Sequence, residues 1–349
     1  MLTMPVESPK IEEWRRLYDA ALKVKEMGPW KWMNEIHVFG VKNPEKEGET
    51  GYISVSGALG EHRAVSVYLG LPGLYGFLAM CQDSVLEQNP QFFFEVPQLH
   101  ASFESSRELE EQDRDIIRKL GHKFRGEGAW PMFRSHRPAC LPWFLEAAEA
   151  RFLTHALEQV IDVAPRFKDD ESVVIPRDPN TMLIRFSSPR GHDLKWEERF
   201  LPVPPLLEES ISSTVSKQLI ADALRLPRSK AVLELDFFML TVKVAGKADR
   251  PYFPYVLLGV DEETGVIICH ELLVPLPSLT AMHGQVPETL LRCLTGVKQA
   301  PSAVKVRSEN LYEQLEPLAE KLKLKIQLCR SLPKLEIARQ SFGEFAGKS

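Results

Sequence analysis

Long hydrophobic runs are missing from this 349-residue chain. No window approaches about eighteen uninterrupted apolar positions, so no membrane-spanning helix is expected. Cysteine is sparse: Cys81, Cys140, Cys269, Cys293 and Cys329 are scattered, odd in number and form no CxxC pair. That pattern argues against a zinc knuckle or a disulfide framework, and for a reducing compartment. The nine histidines stand singly, with no HxH or HExxH spacing, which argues against zinc-hydrolase chemistry. No GxSxG elbow and no Cys-His arrangement is present. GLPGLYGF lacks the Lys-Ser/Thr of a phosphate loop and the spacing of a dinucleotide fingerprint. Its glycines read as a strand-to-helix turn, with Leu71, Leu74 and Phe77 packing inward.

Charge of one sign is not in excess either. The formal net charge is -5. From Pro227 to the end, 16 Lys and Arg face 14 Asp and Glu, so the acidity lies in the earlier part. Neither part is a basic stripe, and net charge does not support a nucleic-acid partner. The first residues, MLTMPVESPKIEEWRRLYDAA, are acidic and amphipathic. A signal peptide would need a basic start followed by an apolar stretch. A cytoplasmic location is expected, with no membrane partner.

What is there suits a globular protein. Hydrophobic residues make up 44% and charged residues 26%, and the length accommodates two domains. Ile11, Trp14, Leu17, Tyr18, Ala21 and Leu22 lie on one face of a helix ending near Met27. IHVFGV, GYISVSGAL and RAVSVYLGL read as strands, the last two joined through a tight Gly60-Glu61-His62 link that leaves His62 as a surface turn histidine. FFFEVPQLHASFES reads as a further strand and SRELEEQDRDIIRKLGHKF as a charged amphipathic helix. WPMFRSHRPACLPW reads as a Pro-rich connection, its Arg134, His136 and Arg137 solvated or open to an anion or a nucleic acid. A long helix follows, ending at Pro165. SVVIPRD and TMLIRFSS read as short strands, and a helix spans Ser212 to Leu226. The expected domains are residues 1–165 as an α+β N-terminal domain, 166–229 as a β-hairpin and helix connector, and 230–349 as a C-terminal α/β domain.

The last third is the most legible. KAVLELDFFMLTVKVAG, PYFPYVLLGV and VIICHELLVP are strands, the latter two joined by the turn Asp261-Glu262-Glu263-Thr264-Gly265. SAVKVRS and KIQLCR are shorter strands separated by helices. SLPKLEIARQSFGEFAG is a closing helix, with Ser331 placed to cap it and Pro333 in its first turn. The order β-β-β-α-β-α-β-α predicts three antiparallel strands and two right-handed crossovers, a five-stranded mixed sheet with helices on its faces.

From Lys230 onward this order resembles the ribonuclease H-like fold of retroviral-type integrases and many transposases. The resemblance rests on LELDFF, with an acid inside the first strand, on the turn GVDEETGV, and on VRSENLYEQL after the fourth strand. The whole chain is similar to a family of uncharacterised two-domain bacterial proteins, through WRRLYDAA, GYISVSGALGEHRAVSVYLG, AWPMFRSHRP and the final third.

The ribonuclease H-like resemblance implies a carboxylate cluster. An active nuclease of that kind holds two divalent metals, Mg or Mn, between about three acids. Position by position these would be Asp236, Glu309 and Glu336, serving as both metal ligands and catalytic residues. The family usually has Asp where this chain has Glu309, one methylene longer. Glu336 is better placed than Glu344. Glu234 shares a strand face with Asp236, and two acids under a helix require a metal, an open face or a basic partner. Lys243, Arg307 and Arg339 are the candidate partners.

Two functions are therefore weighed. One is a non-catalytic binding or regulatory protein on a ribonuclease H-like scaffold, needing no cofactor and taking a protein or a small ligand, with the domain interface a suitable place. The other is a divalent-metal-dependent nuclease or nucleic-acid processing enzyme.

Overall fold

The computed structural model describes residues 7–60, 62–82, 85, 89–191, 193–206, 215–245 and 250–346. The chain divides into two compact units, Met1–Arg137 with Pro142–Leu207, and Pro138–Leu141 with Glu208–Ser349. Both are mixtures of helix and sheet.

In the first unit, alternation of apolar and polar residues builds a seven-stranded sheet. Its strands are β1 (Phe39–Lys42), β2 (Thr50–Ser56), β3 (Ala64–Leu69), β4 (Gln98–Glu104), β5 (Trp130–His136), β6 (Thr181–Arg190) and β7 (Asp193–Pro202), in the order β5-β4-β3-β2-β1-β6-β7. Helices α1 (Ile11–Met27) and α4 (Ala147–Asp169) cover one face. Trp14, Leu17, Tyr18, Phe152, Leu153 and Leu157 meet Val41, Ile53, Val55, Val65, Val67 and Leu99 there. Helix α2 (Gly70–Met80) covers part of the other face, with Leu74 and Phe77 against Tyr52 and Tyr68. Helix α3 (Glu111–Leu120) contributes Ile116, Ile117 and Leu120 to the main core.

Three expectations about this unit need correction. WPMFRSH is not a connection but strand β5, with Pro131 opposite Phe103. Proline is tolerated there because β5 is an edge strand, where one N–H of each pair of residues needs no ladder partner. The long helix does not stop at Pro165 but runs to Asp169. Phe167 is fully buried and its ring lies 4.7 Å from that of His37, so packing holds the last turn in place. The hairpin assigned to a connector belongs to the sheet, since β6 pairs in parallel with β1 and antiparallel with β7. SVVIPRD contributes only a short helical turn, Glu171–Val173.

The second unit holds β8 (Val232–Met239), β9 (Tyr255–Asp261), β10 (Ile267–Leu273), β11 (Ala303–Val306) and β12 (Lys325–Leu328) in one five-stranded sheet, ordered β10-β9-β8-β11-β12. β8, β9 and β10 are antiparallel neighbours, while β11 is parallel to both β8 and β12. Its helices are α5 (Lys217–Leu224), α6 (Leu279–His283), α7 (Val286–Gly296), α8 (Glu309–Leu322) and α9 (Pro333–Ala346). Part of the expected Ser212–Leu226 helix lies outside the described residues, as does Glu61 of the β2–β3 link. α5, α7 and α8 meet around Ala223, Leu291, Leu318 and Leu322, and Leu332, just before α9, packs with Leu335 of its first turn on Val256, Leu258 and Val260. The β9–β10 turn forms where expected: Asp261 Oδ1 accepts from the N–H and the hydroxyl of Thr264, both at 2.7 Å. These bonds hold the Asp261 carboxyl below its ordinary range. Gly265 closes the turn at φ +73°, a left-handed conformation that glycine adopts without steric cost.

The cysteine reading also needs correction. Cys269 of β10 is bonded to Cys293 of α7, their Cα atoms 5.3 Å apart. Twenty-four residues separate them in sequence, so only the packing of α7 on β10 brings them together. Among the described residues, no helix is long and apolar enough to cross a membrane.

Candidate functional site

The strand β8 alternates strictly. Leu233 and Leu235 point into one core, so Glu234 and Asp236 must point to the opposite face. Asp236 is directly opposite Leu258 on β9, and Glu234 opposite Val260. Those two neighbours belong to the apolar cluster under α9. Two carboxylates therefore stand in an apolar layer, Glu234 with 1% of its surface exposed and Asp236 with 3%. Without partners such groups would cost several kcal/mol each, roughly.

Both have partners. Glu234 Oε2 accepts a 2.8 Å hydrogen bond from the N–H of Leu335. Leu335 is the third residue of α9, one of the first-turn residues whose N–H has no acceptor within the helix. The carboxylate thus satisfies an orphan donor at the positive end of the helix dipole. Asp236 Oδ2 accepts from Arg307 Nη2 at 2.7 Å, and Oδ1 accepts from the N–H of Phe237 at 3.0 Å.

Arg307 follows β11 directly, which brings it alongside β8 because the two strands are parallel neighbours. A second guanidinium approaches from α9: Arg339 Nη1 lies 3.9 Å from Asp236 Oδ2, and its Cζ lies 4.1 Å from the centre of the Phe238 ring. Burial holds Arg339 below the usual arginine range, against the pull of Asp236. Glu336, one turn before Arg339, sits 3.8 Å from the other end of Arg307.

Of the three acids expected to converge, two do: Asp236 and Glu336 face the same guanidinium. Glu309 does not join them. It is exposed at the first position of α8, after the N-cap Ser308, and makes no ion pair among the described residues. The arrangement does not suit a divalent cation. Two guanidinium groups already direct positive charge at Asp236. Arg307 and Arg339 were legible as possible partners, whereas Glu234 as a helix cap was not. Its signal lies in the SLP start of α9, which leaves first-turn N–H groups needing an acceptor.

Two grooves flank the edge strand β10. One, of about 650 Å³, is lined by Thr264, Gly265, Ile267, Lys334, Ile337 and Ala338 and is mostly apolar. The other, of about 560 Å³, is lined by Glu271, Leu273, Ala281, Gln285, Glu288 and Arg292 and is mostly polar. Leu272 and Ile337 are largely exposed beside them. The apolar groove shares helix α9 with the Asp236 cluster.

Comparison with known proteins finds two family models. Residues 14–185 match a domain of unknown function, DUF7309. Residues 219–343 match a second domain of unknown function, DUF6930. No curated protein and no solved structure matches the chain. The first match covers β1 to β5 and the start of β6, and the second covers all five strands of the second sheet.

Proposed function

We propose that this two-domain protein is a non-catalytic binding or regulatory protein, and that its second unit is a ribonuclease H-like scaffold used for recognition rather than catalysis. The sheet order supports the scaffold: the third, second, first, fourth and fifth strands lie side by side, the first three antiparallel and the last two parallel to the first. One observation carries the functional reading, the ion pair between Asp236 and Arg307 with Arg339 and Glu336 at its margin. A carboxylate already neutralised by arginine has little charge left to hold a metal. The exposed apolar positions around β10 and α9 offer contact surface for a protein or a small ligand.

Thermal melting with magnesium or manganese, on the wild type and Asp236→Asn, tests this reading. A ligand that binds only the native state raises its melting temperature. The expected result is no metal-dependent rise in either protein, with Asp236→Asn melting lower because Arg307 loses its partner. A rise in the wild type that vanishes in Asp236→Asn would overturn the proposal and favour the metal-dependent nuclease, for which Asp236, Glu309 and Glu336 are the ligands to test.

A further inference from the structure

The polar side of the first unit's sheet holds a pair of histidines that no sequence spacing links. His100 is in the middle of β4, across from Ser66 of β3. His62 lies two residues before β3, in line with its polar face. Their Nε2 atoms face each other at 3.3 Å, and the rings are nearly parallel, 8° apart. That separation is long for a hydrogen bond between nitrogens. It is the separation of two ligands on one tetrahedral ion: two bonds of about 2.0–2.1 Å at the tetrahedral angle span about 3.3–3.4 Å.

The outer shell has the same character. Histidines that bind metal usually engage their second ring nitrogen with a fixed polar group, which sets tautomer and orientation. His100 Nδ1 is 2.9 Å from Ser66 Oγ, and His62 Nδ1 is 3.6 Å from Glu104 Oε1. Ser66 holds the second nitrogen of His100, Glu104 lies near that of His62, and the two Nε2 atoms face each other. His136 packs edge-on against His100, ring centres 5.9 Å apart, and steadies it.

An independent observation comes from the sheet floor. Ser102 shares the face of β4 with His100 and Glu104. It is 1% exposed, and its Oγ has no hydrogen-bond partner among the described residues. A buried hydroxyl left so is unusual and calls for an explanation. Water bound to an ion held by the two histidines would supply the partner.

We propose that His62 and His100 form a two-nitrogen site for a divalent transition metal, with Ser66 and Glu104 orienting the ligands and the remaining coordination positions filled by water or a ligand oxygen. Imidazole nitrogen selects zinc, nickel or copper, whereas magnesium and calcium require oxygen. The His62 side chain is 59% exposed, so the ion is reached from solvent and its free positions exchange. This site is independent of the Asp236 cluster and of the function proposed for the second unit.

The test is titration of the full-length protein with zinc chloride, read by calorimetry and by melting temperature. The wild type takes up one zinc per chain and melts higher. His62→Ala and His62→Gln, changed at an exposed side chain, melt like the wild type without zinc and bind it at least tenfold more weakly. Glu104→Gln weakens binding by about tenfold. Cys81→Ser, which removes an exposed thiol, leaves uptake unchanged. No zinc uptake by the wild type, equal uptake by both His62 variants, or loss of uptake in Cys81→Ser would each overturn the assignment.

Discussion

Each unit buries an arginine–carboxylate pair beside its sheet, and the two pairs are built differently. In the first unit, Arg134 of the edge strand β5 meets Asp113 of α3 through two hydrogen bonds, at 2.9 and 2.7 Å. Both side chains are sealed, with 7% and 8% exposure. Phe144 covers the guanidinium at 4.8 Å. In the second unit, Asp236 is sealed but Arg307 is not: its side chain is 32% exposed. A pair closed at both ends fastens a helix to a strand. A pair closed at one end sits on the central strand and can exchange its arginine for water or a ligand. Position in the sheet and access for solvent separate the structural pair from the candidate site.

Removing one partner from each pair gives the largest expected effects. Arg134→Ala leaves Asp113 buried without a counter-charge and is expected to cost about 3–5 kcal/mol. Asp236→Asn should cost less, about 1–3 kcal/mol, because Arg307 can turn to water. Urea unfolding, following each unit's transition separately, measures both losses. If Asp236→Asn proved as damaging as Arg134→Ala, the second pair would be structural too, and the open-ended reading of Arg307 would fail.

How much of this was legible depends on range. Strand periodicity located β8, β9, β10, β11 and β12, because alternation and turn chemistry are local properties. The Asp261–Gly265 turn was readable for the same reason. Strand β5 was missed because Pro131 reads as a breaker wherever its neighbours are unknown, and only edge position makes it acceptable. Arg134 consequently looked solvated although it is buried. The hairpin of β6 and β7 was recognised in part but assigned to a connector, because its pairing with β1 spans about 140 residues of sequence. The Cys269–Cys293 bond and the approach of His62 to His100 arise from packing and strand register, which no spacing rule encodes. At the candidate site, Asp236, Glu309 and Glu336 were all placed by resemblance, with Arg307 and Arg339 named as possible basic partners; the structure gathers Asp236, Glu336 and the two arginines and sets Glu309 apart.

A smaller effect is expected from one residue of the second unit in mild acid. His283 packs edge-on against Phe237 and Tyr255, ring centres 5.2 and 6.2 Å away. Burial holds its imidazole below the ordinary value of 6.5. Between those two values the unfolded chain binds a proton that the folded chain refuses, so stability rises with pH there. The contribution is complete above about 6.5 and is lost as pH falls toward the depressed value. His283→Gln should flatten this part of the second unit's pH–stability curve and leave the first unit's curve unchanged. A curve as steep as the wild type's would assign the dependence to another group.

The smallest expected effect is the most discriminating for function. Glu309 is exposed, unlike Asp236, and a surface change away from special features usually stays within about ±0.5 kcal/mol. Glu309→Gln keeps the length of the side chain and the N-cap hydroxyl of Ser308, and removes only charge from the first turn of α8. The helix dipole favours that charge by about 0.3–1 kcal/mol at an exposed position. The loss should therefore be a few tenths of a kcal/mol, be erased by salt, and be the same with or without magnesium or manganese. If instead the variant lost a metal-dependent stabilisation seen in the wild type, Glu309 would have to swing toward Asp236 when metal binds. The open end of the Arg307 pair would then be the place where the arginine gives way.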